Sequence, residues 1–374
     1  MSRTIGIISG NRRSDYLQGI DRQRPLAAVP FGGRYRLLDF ALSSMVNSGL
    51  RTVGIITPSN YRPILDELGS GKEWQLDRKS GGLFILPGVN WGLAVWDKVF
   101  LLKDIAKNFE YLENDLSEYV LLCGCNQIFN IDFNEAIAFH EQNHADVTLI
   151  YKAIKKEEWQ TLKGTILKMS PEGQVGGLMT GEETAGAYME LPFFIDMVVI
   201  NRTLLMEVIQ GYEAVEDADL LEAIFENKRM LSIFGFPFKG YFARIESIND
   251  FFKSNMDLLN YDVRNELFWG VNRVHTKSRD NPPTHYSDSA LIRNSLVASG
   301  CNIQGALENC IVSRNVQVAG DTHIKNSIIM RRCNIDKNVI LENVILDNYV
   351  VIHEGTILKG QGNTPVVINK RAVI

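Results

Sequence analysis

The sequence predicts an α/β unit built on a mostly parallel sheet, followed by a parallel β-helix. Up to about residue 255, strand-like runs ("TIGIISG", "TVGIITPSN", "YVLLCGCNQIF", "DVTLIYKAI") alternate with helical patterns ("DFALSSMVNSGL", "DFNEAIAFHEQNHA"). That order is the mark of a parallel sheet covered by helices on both faces. A break follows at "NPPTHYSDSA", where Pro282 and Pro283 stop regular structure. Beyond it "RNSLV", "ENCIV", "KNSII" and "ENVIL" repeat, with Asn294, Asn309, Asn326 and Asn343 at intervals of 15, 17 and 17 residues.

That interval is close to three hexapeptides, one rung of a parallel β-helix. Asparagine suits the corners because it tolerates left-handed backbone, and branched Ile, Leu and Val fill the axis. Intermediate turns are expected at Asn302, Asn315, Asn334 and Asn348. The pattern divides the chain into residues 1–255, a connecting helix and linker at 256–285, and the β-helix at 286–374. Solenoid edges call for a cap, so subunit assembly is expected.

In a parallel sheet, ligands bind beyond the carboxyl ends of the strands, here in the loops after Ile8, Ile56 and Leu122. The first of these, "GIISGNRRSDYL", has the place of a glycine-rich phosphate loop but only Gly10 to serve it. Composition adds bounds. With 374 residues, 45% hydrophobic, 22% charged and a net charge of −5, the chain reads as an ordinary two-domain soluble protein, not a nucleic-acid binder. No leader or membrane span is read, and five cysteines without paired spacing fit reduced thiols in a cytoplasm. Cys123 and Cys125, on one face of an apolar strand, are expected to be buried and not to bind metal.

The segment "VPFGGRYRLLDFALSSMVNSGL", Val29 to Leu50, closely resembles bacterial glucose-1-phosphate adenylyltransferases, the ADP-glucose pyrophosphorylases of glycogen synthesis. The likeness runs essentially end to end, and within the family it is nearest the divergent second subunit of Gram-positive bacteria. It implies a Rossmann-like, GT-A-like nucleotidyltransferase domain followed by a left-handed β-helix. The family's reaction joins glucose 1-phosphate to the α-phosphorus of ATP and expels pyrophosphate, which demands positioning and charge neutralisation.

Laid on the family's motifs, the chain lacks the groups that would supply this. Where relatives read LAGGxGTRL, the glycine positions carry Asn11, Arg12 and Ser14, and Tyr16 stands at the arginine. Where they read RAKPAVPFGG, Arg24 is kept but Leu26 replaces the lysine that stabilises developing charge. The two metal-binding aspartates of SGDHIY and WRDVGT are matched by Asn126 and Arg244. Arg244 puts a positive charge where a divalent cation would sit, and like unit charges 4 Å apart repel by about 4 kcal/mol at an effective dielectric of 20. The GTADA and FxEKP runs find only "NWGLAVWDKV" and "GGLMTGEETAG". Asp196, near the sugar-binding strand, either touches a hydroxyl or is structural.

The resemblance therefore implies a pseudoenzyme: no catalytic residues, no metal, and Mg²⁺ only in a catalytic partner subunit with which the chain forms a hetero-oligomer, by resemblance a heterotetramer. Arg12, Arg13, Arg24, Arg34, Arg36 and Arg244 are candidates for binding a phosphorylated small-molecule effector, since guanidinium suits phosphate. Arg244 could instead pair with Asp15, Asp39 or Glu246. A weakly active adenylyltransferase and a stand-alone sugar-phosphate sensor remain as alternatives. Neither nucleic acid nor membrane is expected as a partner, and the expected location is the cytoplasm.

Overall fold

The computed structural model describes residues 4–11, 17–89, 98–155, 164–179, 190–212, 214–215, 217–226, 230–270, 272–361 and 364–374. Packing divides the chain into two units, each assembled from separate stretches. One takes Met1–Arg13, Phe40–Phe242 and Val271–His275, the other Ser14–Asp39, Ala243–Gly270 and Thr276–Ile374. These units are discontinuous, whereas the sequence pattern divides the chain continuously near 255 and 285.

Among the described residues, the first unit is built on a nine-stranded mixed sheet. Four strands run parallel in the order Tyr119–Gly124, Thr4–Ser9, Thr52–Thr57, Gly82–Pro87. Every residue of Thr4–Ser9 is buried, as expected of a strand covered on both faces. The long strand Glu190–Asn201 joins antiparallel to Tyr119–Gly124 and carries the rest of the sheet through Val147–Lys155 and Ile166–Met169. Ile5, Ile7, Val120, Leu122, Val198 and Ile200 meet in one apolar core. Because four strands share a direction, the loops after Ser9, Thr57, Pro87 and Gly124 gather at one edge. The helix Phe133–Gln142, one of the sequence-predicted helices, is capped by Asp132, whose carboxylate accepts from the Asn134 amide at 3.0 Å.

The second unit is dominated by a left-handed parallel β-helix of three five-stranded parallel sheets, running from His285–Tyr286 to Val366–Ile368. Ile303, Val318, Ile335 and Ile352 stack up its axis in register. One corner turns as the repeat predicts: Asn294, Asn309, Asn326 and Asn343 have φ between +42° and +53°. Their side chains form an amide ladder, Asn294 donating to Asn309 at 2.8 Å and Asn309 to Asn326 at 3.1 Å. Of the intermediate turns, Asn315 sits in left-handed backbone at φ +59°. Asn302 and Asn334 instead lie in strands, and beside Asn348 it is Tyr349 that takes the positive φ, +66°.

Two capped helices complete this unit. Ser247 accepts from the Asp250 amide at 3.1 Å and donates to its carboxylate at 2.8 Å, starting Ile248–Asp257. Asn260 caps Tyr261–Phe268. The five cysteines are free and buried, as read for Cys123 and Cys125. No described helix is long and apolar enough to cross a membrane.

Candidate functional site

In the first unit the loops at the carboxyl ends of the parallel strands are stitched to one another. The Gly10 amide donates to Ile56 O and the Gly88 amide to Thr57 O, both at 2.9 Å. The Asn11 side-chain amide donates to both Asp104 carboxylate oxygens, at 3.1 and 3.0 Å, and to Val89 O at 3.3 Å. Asp104 also accepts from the Val89 amide at 2.6 Å. Lys107 Nζ and Asn108 Nδ2 close the far side on Gly88 O and Pro87 O, at 2.9 and 3.1 Å. A Cβ at Gly88 would lie 2.5 Å from Asn11 Nδ2, so the two loops touch directly. Burial raises the Asp104 carboxyl above its ordinary range, opposed by the Val89 amide, Asn11 and Lys107. A side chain here does the bridging where a phosphate loop needs bare backbone amides.

At the end of the central strand, Asn126, Gln127 and Asp196 converge on Gly124, and all three are buried. Gln127 Nε2 donates to Asp196 Oδ2 at 2.9 Å, while Gln127 Oε1 is buried without a hydrogen-bond partner among the described residues. Asp196 has φ +52° and sits where the pairing with Val147–Lys155 slips register between Phe194 and Val198. A bulge with a non-glycine residue in left-handed backbone stores strain, a feature concentrated at ligand sites. Burial, then the nearby Asp196, hold the Cys123 thiol well above its usual range. Of the three converging residues, Asp196 alone is a carboxylate, and its Oδ2 accepts from Gln127 Nε2. Among the described residues no three His, Cys, Asp or Glu side chains converge on a metal position.

The second unit holds the other candidates. Leu26 is buried in the 3₁₀ turn Leu26–Ala28, a packed apolar position. Arg244 is buried in the short strand Ala243–Arg244. Arg34 is exposed, its guanidinium 5.2 Å from the Tyr35 ring, and Tyr35 stacks on Phe268 at 4.8 Å. Arg36 donates to Ala28 O and thereby braces its own hairpin. Arg24 is buried, and its Nη2 binds both oxygens of Asp347 at 2.8 and 2.7 Å. The second terminal nitrogen, Nη1, is buried without a hydrogen-bond partner among the described residues. Arg12, Arg13 and Tyr16 lie outside the described residues.

Around Arg24 the last β-helix rungs form a cationic corner. Arg332, Tyr349 and Arg371 all adopt positive φ there, +57°, +66° and +64°. Successive rungs are tied by backbone: the Arg332 amide donates to Arg314 O, Tyr349 to Arg331 O and Arg371 to Asn348 O. Arg331, Arg332 and Arg371 lie 5.7, 5.8 and 5.9 Å from the Tyr349 ring centroid. Burial lowers the Arg331 pKa; Tyr349 opposes this, and Arg36, Arg279 and Arg24 add to it. Lys370 is lowered by burial and by Arg24, Arg371 and Arg331, with Asp347 opposing. Cations that depress one another's pKa gain most from an incoming anion.

Two family models match: "Nucleotidyl transferase" over residues 13–175 and "GlmU-like, C-terminal hexapeptide" over residues 283–361. The "Glycogen biosynthesis protein GlgD" of Bacillus subtilis (strain 168) is 30% identical over 372 residues, covering 100% of this chain and 97% of that protein. The chain belongs to the GlgD family. It is also similar to proteins named "Glucose-1-phosphate adenylyltransferase" from Bacillus cereus (strain Q1) and Bacillus anthracis. Each is 26% identical over 390 residues, covering 98% of this chain and 97% of the relative.

Within this GlgD-family chain, Arg24 and Arg36 meet at the cationic corner, and Leu26, Arg34 and Arg244 belong to the same unit, while Asn126 belongs to the other. Motif reading missed Asp104, Gln127 and the group Arg331, Arg332, Asp347, Tyr349, Lys370 and Arg371. Asp104 carries no local signal. The corner does: the doublets Arg331–Arg332 and Lys370–Arg371 fall in the same rung position, with Asn348–Tyr349 between them. Setting the rungs under one another exposes that column.

Proposed function

We propose that this chain is a non-catalytic, modulatory subunit in glycogen biosynthesis, pairing with a catalytic homologue that makes ADP-glucose from ATP and glucose 1-phosphate. The observation that carries the reading is the Asn11 clasp on Asp104 and Val89. In a nucleotide-binding relative that turn would present free amides to a triphosphate. The buried Leu26 and the uncharged Asn126 support the same reading, since neither supplies charge to a developing pyrophosphate or to a metal.

The regulatory ligand that fits is a phosphorylated small molecule, taken at the corner of Arg24, Arg36, Arg331, Lys370 and Arg371. Guanidinium groups match phosphate oxygens in pairs, and Arg24 Nη1 is a donor without an acceptor among the described residues. The deciding experiment is co-expression with a catalytic homologue from the same genome. ADP-glucose formation is measured for that homologue alone, for this chain alone and for the pair. The proposal expects none from this chain alone and altered turnover or substrate affinity in the pair; identical kinetics with and without this chain would end it. A second reading, a weak adenylyltransferase, is favoured by the near full-length match to proteins of that name. It predicts ADP-glucose from this chain alone with Mg²⁺, and the same experiment decides it.

A further inference from the structure

The capped helix Tyr261–Phe268 carries a feature that neither the clasp nor the cationic corner uses. Tyr261 and Trp269 are each 60% exposed, and their rings lie 5.7 Å apart, tilted by 51°. Exposed Asn265 lies four residues from each, one helical turn in either direction. The base is rigid: Leu267 is buried, Phe268 stacks on Tyr35 at 4.8 Å, and the Trp269 amide ends the helix on Asn265 O at 3.1 Å. Leaving two large aromatic rings in water on a braced element calls for an occupant.

We infer that Tyr261 and Trp269 form a platform that docks the pyranose rings of an α-glucan chain. The apolar C–H face of a pyranose lies flat on an aromatic ring. Adjacent units of an α-1,4-linked glucan turn relative to one another, so two tilted rings suit two successive units better than coplanar rings would. Asn265 offers a donor and an acceptor to sugar hydroxyls. The flanking charges Asp262, Arg264 and Glu266 are of mixed sign, which suits a neutral polyol and gives a polyanion no field to follow. Two rings of this size at that exposure offer roughly 300 Å², against about 800 Å² per partner in a stable protein interface. The inference rests on the glycogen-biosynthesis part of the proposal above, not on the loss of catalysis.

The test is native electrophoresis of the purified full-length chain through gels containing glycogen. Wild type should be retarded in proportion to glycogen concentration. Trp269→Ala and Tyr261→Ala should each weaken the apparent affinity about tenfold. Trp269→Phe should keep much of it, and Tyr286→Ala, which removes an exposed aromatic elsewhere in the unit, should keep all of it. Thermal melts confirm that each variant is folded. An unretarded wild type, or retardation equal in wild type and both alanine variants, overturns the inference. So does a Trp269→Ala effect confined to oligomer mass by gel filtration. None of these outcomes bears on ADP-glucose formation with a catalytic partner, so failure here is separable from failure of the subunit proposal.

Discussion

Arg24 and Asp347 stand 323 residues apart in sequence, yet they form a buried ion pair with N–O distances of 2.8 and 2.7 Å. The contact ties the segment that follows the phosphate-loop position to the penultimate β-helix corner, inside one packing unit. Removing one partner strands the other charge in a dry site. Arg24→Ala should therefore cost about 3–5 kcal/mol in urea unfolding. Asp347→Asn added to it should restore part of that loss. A single-variant cost under about 1 kcal/mol would show that the pair is not sealed from water.

The cationic corner should respond to anions. Inorganic phosphate and hexose phosphates should raise the wild-type Tm, and Arg331→Ala and Lys370→Ala should each reduce the shift at a given ligand concentration. Added sodium chloride should weaken the effect by screening. Equal shifts in wild type and both variants would place anion binding elsewhere.

The Asn11 clasp is open to a paired measurement of stability and pH. Asn11→Ala removes the side-chain donor from Asp104 and should cost about 1–2 kcal/mol at pH 7. Without that donor the Asp104 carboxyl rises further above its ordinary range. The native state of the variant then keeps its proton to higher pH than the unfolded chain does, so its deficit should grow as pH rises. Melts at pH 5 and pH 8 check this, and a deficit independent of pH would rule out Asp104 as the partner that matters.

Asp219 gives a second pH signature. Burial pushes its carboxyl up to about 6, although the Leu221 and Phe100 amides donate to it at 2.9 and 3.1 Å. The unfolded chain releases this proton near 3.8, while the native state holds it longer. Stability through this group is thus fully present below the unfolded value and falls as pH rises toward 6, by on the order of 2–3 kcal/mol. Asp219→Asn cannot titrate and should lack that slope. Parallel pH profiles of variant and wild type would contradict the assignment.

Much of the fold was legible in the residues themselves. The asparagine interval named the rung, and Asn294, Asn309, Asn326 and Asn343 turn as that reading requires. Alternation of strand and helix gave the parallel run, because adjacent branched residues such as Ile7 and Ile8, which face opposite sides of the strand, are both buried. Asn302 and Asn334 misled: an asparagine in an outward strand position has the same letter as one in a corner, and only the register separates them. That Asn11, Leu26 and Asn126 depart from the family's motifs is legible in the sequence. What fills the space they vacate could not, because Asp104 and Asp347 reach Asn11 and Arg24 from 93 and 323 residues away. Packing brings these together, and no local pattern encodes it.

The cationic corner is written one rung at a time. Its column of Arg314, Arg331, Asn348 and Lys370, beside Asn315, Arg332, Tyr349 and Arg371, is held in line by backbone bonds that recur from coil to coil. The apolar axis, Val312, Ile329 and Leu346 among it, points the other way and is indifferent to what the column spells. Apart from the buried Asn348, these letters can therefore be exchanged without unpacking the solenoid. Under the effector reading proposed above, spelling changes at a handful of corner positions would revise which small anion is bound, while the spool on which they are wound stays the same.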